Sequence, residues 1–412
     1  MSKEIPQLLK GFRDYLPQDA AARKKIISKI SESFERFGFA PLDTPALESY
    51  DLFKGKIGEE EKLMYKFEDL GGREVALRYD LTVPLARVVA TNRDLPNPFK
   101  RYQIAPVWRA DKPQKGRFRE FMQCDVDIVG SDSVFADAEV IGAIMSAYKS
   151  LEIGNFEVRF NNRALVDEAL TKLKISKTDV SVFMRTLDKL DKIGEEKVLA
   201  SLVEQGFAKD ILEKYSELID ESSKPYALEM KNLLSGLGVE NMRFDKYLMR
   251  GLDYYTGIIF EFGLLEKPEF GSVGSGGRYD NLLEKITGTK IPAVGGSIGL
   301  DRLFAAIEEM DVVAPKTAAE VIILNLDKNL TAEYLNMATN LRNAGIDTEF
   351  YYEPAKLDKQ FKYAEARNMQ VAIIFGADES KKRQVNIKNL QEKQQVTVDM
   401  ADLITEVKSM LW

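Results

Sequence analysis

The chain has 412 residues, 45% of them apolar and 30% charged, with a formal net charge of −7, one cysteine and no histidine. That length can bury a full core and suggests two or three domains, while the composition excludes an internal disulfide, a cysteine-based zinc cluster, His-ligated metals and imidazole-based nucleophile systems. The acidic total does not advertise a nucleic-acid binder, although a local basic groove can coexist with it. No run of about eighteen apolar residues is present, and MSKEIPQLLKGFRDYLP lacks a secretory layout, so a reducing cytoplasm and a structural role for Cys124 are expected.

In chain order, AARKKIISKISESFERFG predicts an amphipathic helix with Ile27, Ile30, Phe34 and Phe37 on one face and Gly38 as its stop. FAPLDTPALES carries two prolines in an extended context, which points to an edge or an interface. KLMYKFED and REVALRYD read as a strand pair turning at Gly71 and Gly72, and LTVPLARVVATNRD as a helix. RYQIAPVWR and REFMQCDVDIVG form a long antiparallel hairpin with a basic tip, DKPQKGRF. A helix over 137–151 and the strand FEVRF follow.

Residues from about 164 to 240 are charged, rich in Leu and Lys and helical in period, and read as an insertion. Strands resume at RGLDYYTGIIFEFGLL. GSVGSGGRYDNL reads as a glycine-rich loop running into a helix, and AVGGSIGLDRLFAAIEEM as a short strand leading into another. A boundary near 313–317 gives domains over 1–315 and 316–412. In the second, VIILNL, TEFYY, VAIIFG and QVNIKNL alternate with helices and end in a C-terminal helix, a compact α/β pattern.

Neither G-x-G-x-x-G nor G-x-x-x-x-G-K-[ST] occurs, so any nucleotide site is of another kind. Arg109, Arg250 and Arg302 stand out by context, since guanidinium forks could stabilise a pentavalent phosphorus centre without histidine. Taken singly, each reads more readily as a solvated or salt-bridging surface arginine.

Taken in order, GFRDYLP, FAPLDTPALES, LRYDLTVPLAR, WRADKPQKGRFREFMQCDVDI, RGLDYYTG, GGRYDNL and GGSIGLDR resemble the histidyl-tRNA synthetases, members of the class II aminoacyl-tRNA synthetases, across almost the whole chain. The resemblance implies an α+β fold: a six- or seven-stranded antiparallel catalytic sheet with a helical insertion, then a C-terminal α/β anticodon-binding domain. It implies that histidine and ATP, the latter as its Mg2+ complex, give histidyl-adenylate and pyrophosphate, and that histidine then passes to the 3′ end of tRNA(His). The partners it implies are tRNA(His) and a second copy in a homodimer, with no membrane and no protein-held metal.

Carried over residue by residue, Arg109 should hold the substrate carboxylate and the α-phosphate, Asp111 the adenine amine, Phe121 the adenine ring, and Arg117 and Arg302 the other phosphates. Arg250 should contact the α-phosphate at the in-line attack. Asp80, Thr82 and Gln123 suit the α-ammonium with Leu81 at the pocket wall, and Asp127 and Tyr255, beside Tyr254, suit the imidazole nitrogens. Met122 stands where many bacterial relatives have histidine. A regulatory paralogue serving histidine biosynthesis is the competing reading; it commonly lacks the anticodon domain and degrades these arginines, which this chain keeps. For the anticodon, KLDKQFKYAEARN and the run Lys381, Lys382, Arg383 are the candidates.

Overall fold

The predicted N-terminal helix forms as α1 (Pro17–Arg36). Ile26, Ile30 and Phe34 are its buried stripe, with Ile27 and Phe37 half-buried, so the apolar face is turned by one residue from the sequence reading. Gly38, at φ +78°, ends it in the left-handed region, and Phe39 N donates back to Phe34 O. The computed structural model describes residues 6–56, 58–114, 116–249, 255–310 and 319–411. Two compact units divide the chain, residues 1–13 with 26–312 and residues 14–25 with 313–412. Among the described residues no helix is long and apolar enough to cross a membrane.

In the first unit, β1 (Ala40–Pro41), β2 (Leu47–Ser49), β3 (Lys66–Glu68) and β4 (Glu74–Leu77) precede helix α2 (Thr82–Thr91). β3 and β4 pair across the expected glycine turn, where the Asp69 carboxylate accepts from Gly71 N and Arg73 N, and β2 joins them in a three-stranded sheet. The long hairpin is β5 (Phe99–Trp108) and β6 (Glu120–Val129); α3 (Val134–Leu151) starts at Ser133, whose side chain caps Phe135 N, and β7 (Phe156–Asn162) follows.

The insertion is a cluster of helices, α4 (Arg163–Lys172), α5 (Lys177–Leu187), α6 (Leu190–Ile193), α7 (Glu195–Glu204) and α8 (Ile211–Gly236), around a core of its own that includes Phe183, Leu202 and Tyr215. Then come β8 (Met242–Phe244), β9 (Ile258–Leu264), β10 (Ser272–Arg278), α9 (Asp280–Thr287), β11 (Ala293–Gly299) and α10 (Leu300–Glu308).

The large sheet has eight strands in the order β1-β5-β6-β11-β10-β9-β7-β8. Its interior pairs are antiparallel, and the parallel pairs β1–β5 and β7–β8 at the two edges carry it beyond the six or seven strands implied by resemblance. Pro41 lies on an edge strand, where a missing N–H costs no ladder bond.

The glycine-rich stretch is not a loop but strand β10, central in that sheet. A Cβ at Gly276 would collide with the Gly295 carbonyl and the Phe260 ring, and one at Gly296 would lie 2.7 Å from Ile144 Cδ1. Only glycine lets these strands lie under α3 and its neighbours so closely.

Strand alternation sorts the sheet into two faces. One carries Cys124, Val126, Ile128, Val294, Ile298, Phe260 and Phe262, all buried, and α3 covers it with Ile144 and Tyr148, the latter edge-on to Phe262. The other carries rows set by register: Arg101, Asp127 and Gly295 in one, Gln103, Asp125, Ser297, Ser275 and Glu261 in the next.

The second unit holds β12 (Val321–Ile323), α11 (Thr331–Asn343), β13 (Thr348–Phe350), α12 (Leu357–Ala366), β14 (Val371–Ile374), α13 (Ala377–Lys382), β15 (Gln384–Asn389), β16 (Gln395–Asp399) and α14 (Leu403–Leu411). Its sheet runs β13-β12-β14-β15-β16, parallel in the first three strands and antiparallel in the last two. Lys381 and Lys382 end α13, a helix absent from the sequence reading, as is the edge strand β16.

Candidate active site

Two groups of polar residues meet on the open face of the large sheet. The first is built by the hairpin. Arg109 leaves the end of β5 with its N–H donated to Arg119 O at 2.9 Å, which keeps the hairpin paired into its tip. Arg109 Nε donates to Tyr79 O at 3.1 Å, and the guanidinium lies 4.1 Å from the Tyr79 ring centre and 5.2 Å from that of Phe121. Stacking and hydrogen bonding together hold the fork in one plane.

The tip reaches α10. A Cβ at Gly116 would sit 3.3 Å from Arg302 Cα, and Gly116 is at φ +66°, so the turn needs glycine on both counts. Arg302, in the first turn of α10, donates through Nη1 to Ser272 O at 2.6 Å, and the Asp301 carboxylate accepts from Met122 N at 2.7 Å. These contacts tie hairpin, β10 and helix start around a cavity of about 230 Å³. Arg109, Asp111, Arg117, Phe121, Gln123 and Arg302 all line it, with Ser272 to Ser275 and Ser297 beneath. A helix N-terminus and three arginines beside a half-buried aromatic ring make a cavity suited to a polyanion carrying a flat base.

The second group is buried deeper. Arg101 is fully buried in β5, ion-paired through Nη2 to Asp127 Oδ2 at 2.7 Å and donating to Leu81 O at 3.2 Å. Asp127 also accepts from the hydroxyl of Tyr279. Asp80 accepts from Thr82 N and Val83 N at 3.1 and 2.9 Å, which fixes the start of α2. Tyr255 packs beside Gly277, where a Cβ would lie 2.9 Å from its ring.

Burial raises the pKa of Asp80 and of Asp127, opposed at Asp80 by its two backbone hydrogen bonds and Arg109, and at Asp127 by Arg101 and Tyr279. Asp125 is pushed up to about 7 by burial, with Arg101 opposing and Asp127 adding. Arg101 Nε and Nη1, Asp125 Oδ1 and Gln123 Oε1 are buried with no hydrogen-bond partner among the described residues. Unsatisfied atoms of that kind mark a site that a polar ligand or water completes.

Arg109, Asp111, Arg117, Phe121, Gln123 and Arg302 are thus brought together, and Asp80, Leu81, Thr82, Asp127 and Tyr255 form the neighbouring group. Arg250 and Tyr254 lie outside the described residues. Sequence reasoning missed Arg101, Asp125, Ser297 and Tyr279. The alternation in QCDVDIV, acid on every second position of a strand, was the available signal for Asp125.

A family model described as Histidyl-tRNA synthetase matches residues 11–303. The chain belongs to the histidyl-tRNA synthetase family. A second model, described as Anticodon binding domain, matches residues 320–410. Among curated relatives, the histidine–tRNA ligase of Rhodopirellula baltica is 42% identical over 94% of each chain. That of Aeropyrum pernix is 37% identical over 98% of each. The crystal structure of histidyl-tRNA synthetase from Nostoc sp. PCC 7120 superposes with a TM-score of 0.87 at 32% identity, covering 99% of this chain and 100% of that one. This histidyl-tRNA synthetase family member therefore has a mixed fold with a large, mainly antiparallel sheet and a C-terminal anticodon-binding domain.

Proposed function

We infer that the chain is a histidine–tRNA ligase that couples histidine activation by ATP to charging of tRNA(His). The observation that carries the reading is the cavity on which Arg109, Phe121, Gln123 and Arg302 converge, with the half-buried Asp80 and the buried Asp127 on the same side of the sheet.

In the first step a carboxylate oxygen of histidine attacks the α-phosphorus of ATP. The new C–O–P anhydride forms as the bond to the β-phosphate breaks, and pyrophosphate leaves. The attacking carboxylate is already ionised at neutral pH, so no general base is required and the absence of histidine residues costs nothing. The requirement is alignment and charge neutralisation. Arg109, anchored on Tyr79, grips the carboxylate and α-phosphate; Phe121 stacks under the adenine with Asp111 at its amine; Arg117 and Arg302 take the outer phosphates. Arg250 is assigned to the α-phosphate by its motif.

Asp80, Thr82 and Gln123 receive the α-ammonium against the Leu81 wall, and Asp127 with Tyr255 and Tyr254 reads the imidazole. An amino acid lacking ring nitrogens would leave those groups unpaired, which discriminates by about 10⁴ to 10⁵ without editing. In the second step a hydroxyl at the tRNA 3′ end attacks the adenylate carbonyl carbon and AMP leaves. Mg2+ is read here as part of the ATP complex, where it would neutralise phosphate charge, while Arg109, Arg117 and Arg302 hold the phosphates. The C-terminal domain reads the anticodon, and the chain works as a cytoplasmic homodimer, for which the edge position of β1 is the supporting feature.

The test is ATP–pyrophosphate exchange with each amino acid in turn. Exchange dependent on histidine alone is expected; binding of histidine without exchange would instead support a regulatory protein.

A further inference from the structure

Gly11, Phe12 and Arg13, which open the stretch GFRDYLP, lie outside the cavity yet hold two of its walls together. Arg119 N donates to Gly11 O at 2.8 Å, and Arg119 O accepts from Arg109 N at 2.9 Å, so the N-terminal segment joins the hairpin edge next to its tip. The Arg119 side chain repeats the tie: Nε donates to Asp111 O and Nη1 to Lys10 O, both at 3.2 Å. A planar fork of N–H donors suits that double contact. Gly11 sits at φ +90°, and a Cβ there would lie 2.9 Å from Arg119 Cγ and Cδ and from Pro113 Cγ, so glycine is needed both for the backbone and for the space. Phe12 packs edge-on to Tyr65, and Arg13 lies 5.8 Å from the ring centre of Phe118 on the tip while pairing with Glu308 of α10 at 3.1 Å.

We propose that residues 10–13 form a clasp that sets the hairpin tip over the cavity for ATP, with Arg119 as the positioning residue through which the clasp acts. The proposal rests on the reading of this cavity as the ATP site of a histidine-activating enzyme. Asp111 and Arg117 reach the cavity from the tip, and the Asp111 carbonyl is one of the two that Arg119 holds. In the hairpin register Trp108 faces Glu120 next to the tip, whereas Arg101 faces Asp127 near the other end. A shifted tip therefore weakens the hold on ATP and leaves histidine recognition in place.

Gly11→Ala, Arg119→Ala and Gly72→Ala are compared with the unaltered protein by ATP–pyrophosphate exchange, with ATP titrated at saturating histidine and histidine at saturating ATP. Gly72, at φ +75° with nothing within 4 Å of its Cβ position, is the control, because alanine strains the backbone there in the same way and meets no neighbour. Gly11→Ala and Arg119→Ala are each expected to raise the KM for ATP about tenfold, a loss of about 1.4 kcal/mol, with the KM for histidine held within about twofold. Gly11 has no side chain with which to touch ATP, so its effect reports position alone; the half-buried Arg119 carries the test if Gly11→Ala does not fold. Gly72→Ala is expected to leave both constants unchanged. An unchanged KM for ATP, equal rises in both constants, or a Gly72→Ala that matches Gly11→Ala overturns the proposal. Absence of histidine-dependent exchange in the unaltered protein sinks the functional reading itself and is seen before any variant is scored.

Discussion

The two faces of strand β6 make opposite use of the same backbone. Cys124, Val126 and Ile128 are buried under α3 among mainly apolar neighbours, and glycines at 276 and 296 let the layers close. Gln123, Asp125 and Asp127, one residue out of phase, face Ser297 and Arg101 and keep atoms unsatisfied. The first face holds the fold together; the second is held by it. Substitutions on the apolar face should therefore lower stability and leave substrate affinity alone, and those on the polar face should change affinity or rate.

The largest departure from that division is expected at Asp127, which lies on the polar face yet also pairs the fully buried Arg101. Asp127→Ala leaves the buried Arg101 without its carboxylate, costing about 3–5 kcal/mol in urea unfolding. In the fraction that folds, the KM for histidine rises far more than that for ATP; equal changes would remove Asp127 from imidazole recognition. Next comes Phe260→Ala on the apolar face, where loss of a fully buried ring should cost about 3–5 kcal/mol. Its histidine KM below the melting transition should match the unaltered protein.

Arg109→Ala is the converse case. Pyrophosphate exchange should fall by about 10² to 10³, as for removal of one charge-stabilising donor, with little change in unfolding free energy because the side chain is only half-buried. The smallest effect is electrostatic. Burial raises the Asp125 carboxyl from 3.8 to about 7, so the fold binds its proton more tightly than the unfolded chain does. Its contribution to stability is full below about pH 4 and lost as pH rises through about 7. Asp125→Asn should flatten that decline in urea unfolding measured across the window; an unaltered slope would place the titration elsewhere.

Much of this was legible in the order of the residues. The hairpin from RYQIAPVWR to REFMQCDVDIVG, with Arg109 at its bend, follows from two alternating runs around a polar loop, and the helix carrying Arg302 follows from a short strand before an amphipathic stretch. GSVGSGGR was not legible as a strand, because its glycines answer to Phe260 and to the β11 backbone, which no local pattern reveals. Arg101 was hidden for a related reason. A lone arginine in a strand reads as a solvated residue until its partner Asp127 is placed opposite it. β16 was missed because an edge strand with alternate exposed residues resembles a polar loop.

Charging of total tRNA with labelled histidine tests the central claim, that the polar face of this sheet and the anticodon-binding domain serve one ligase. Histidine esterified to the 3′ end of tRNA(His) alone, dependent on ATP, is the expected result. Label retained by the protein with none transferred to RNA, or transfer of a different amino acid, would contradict it.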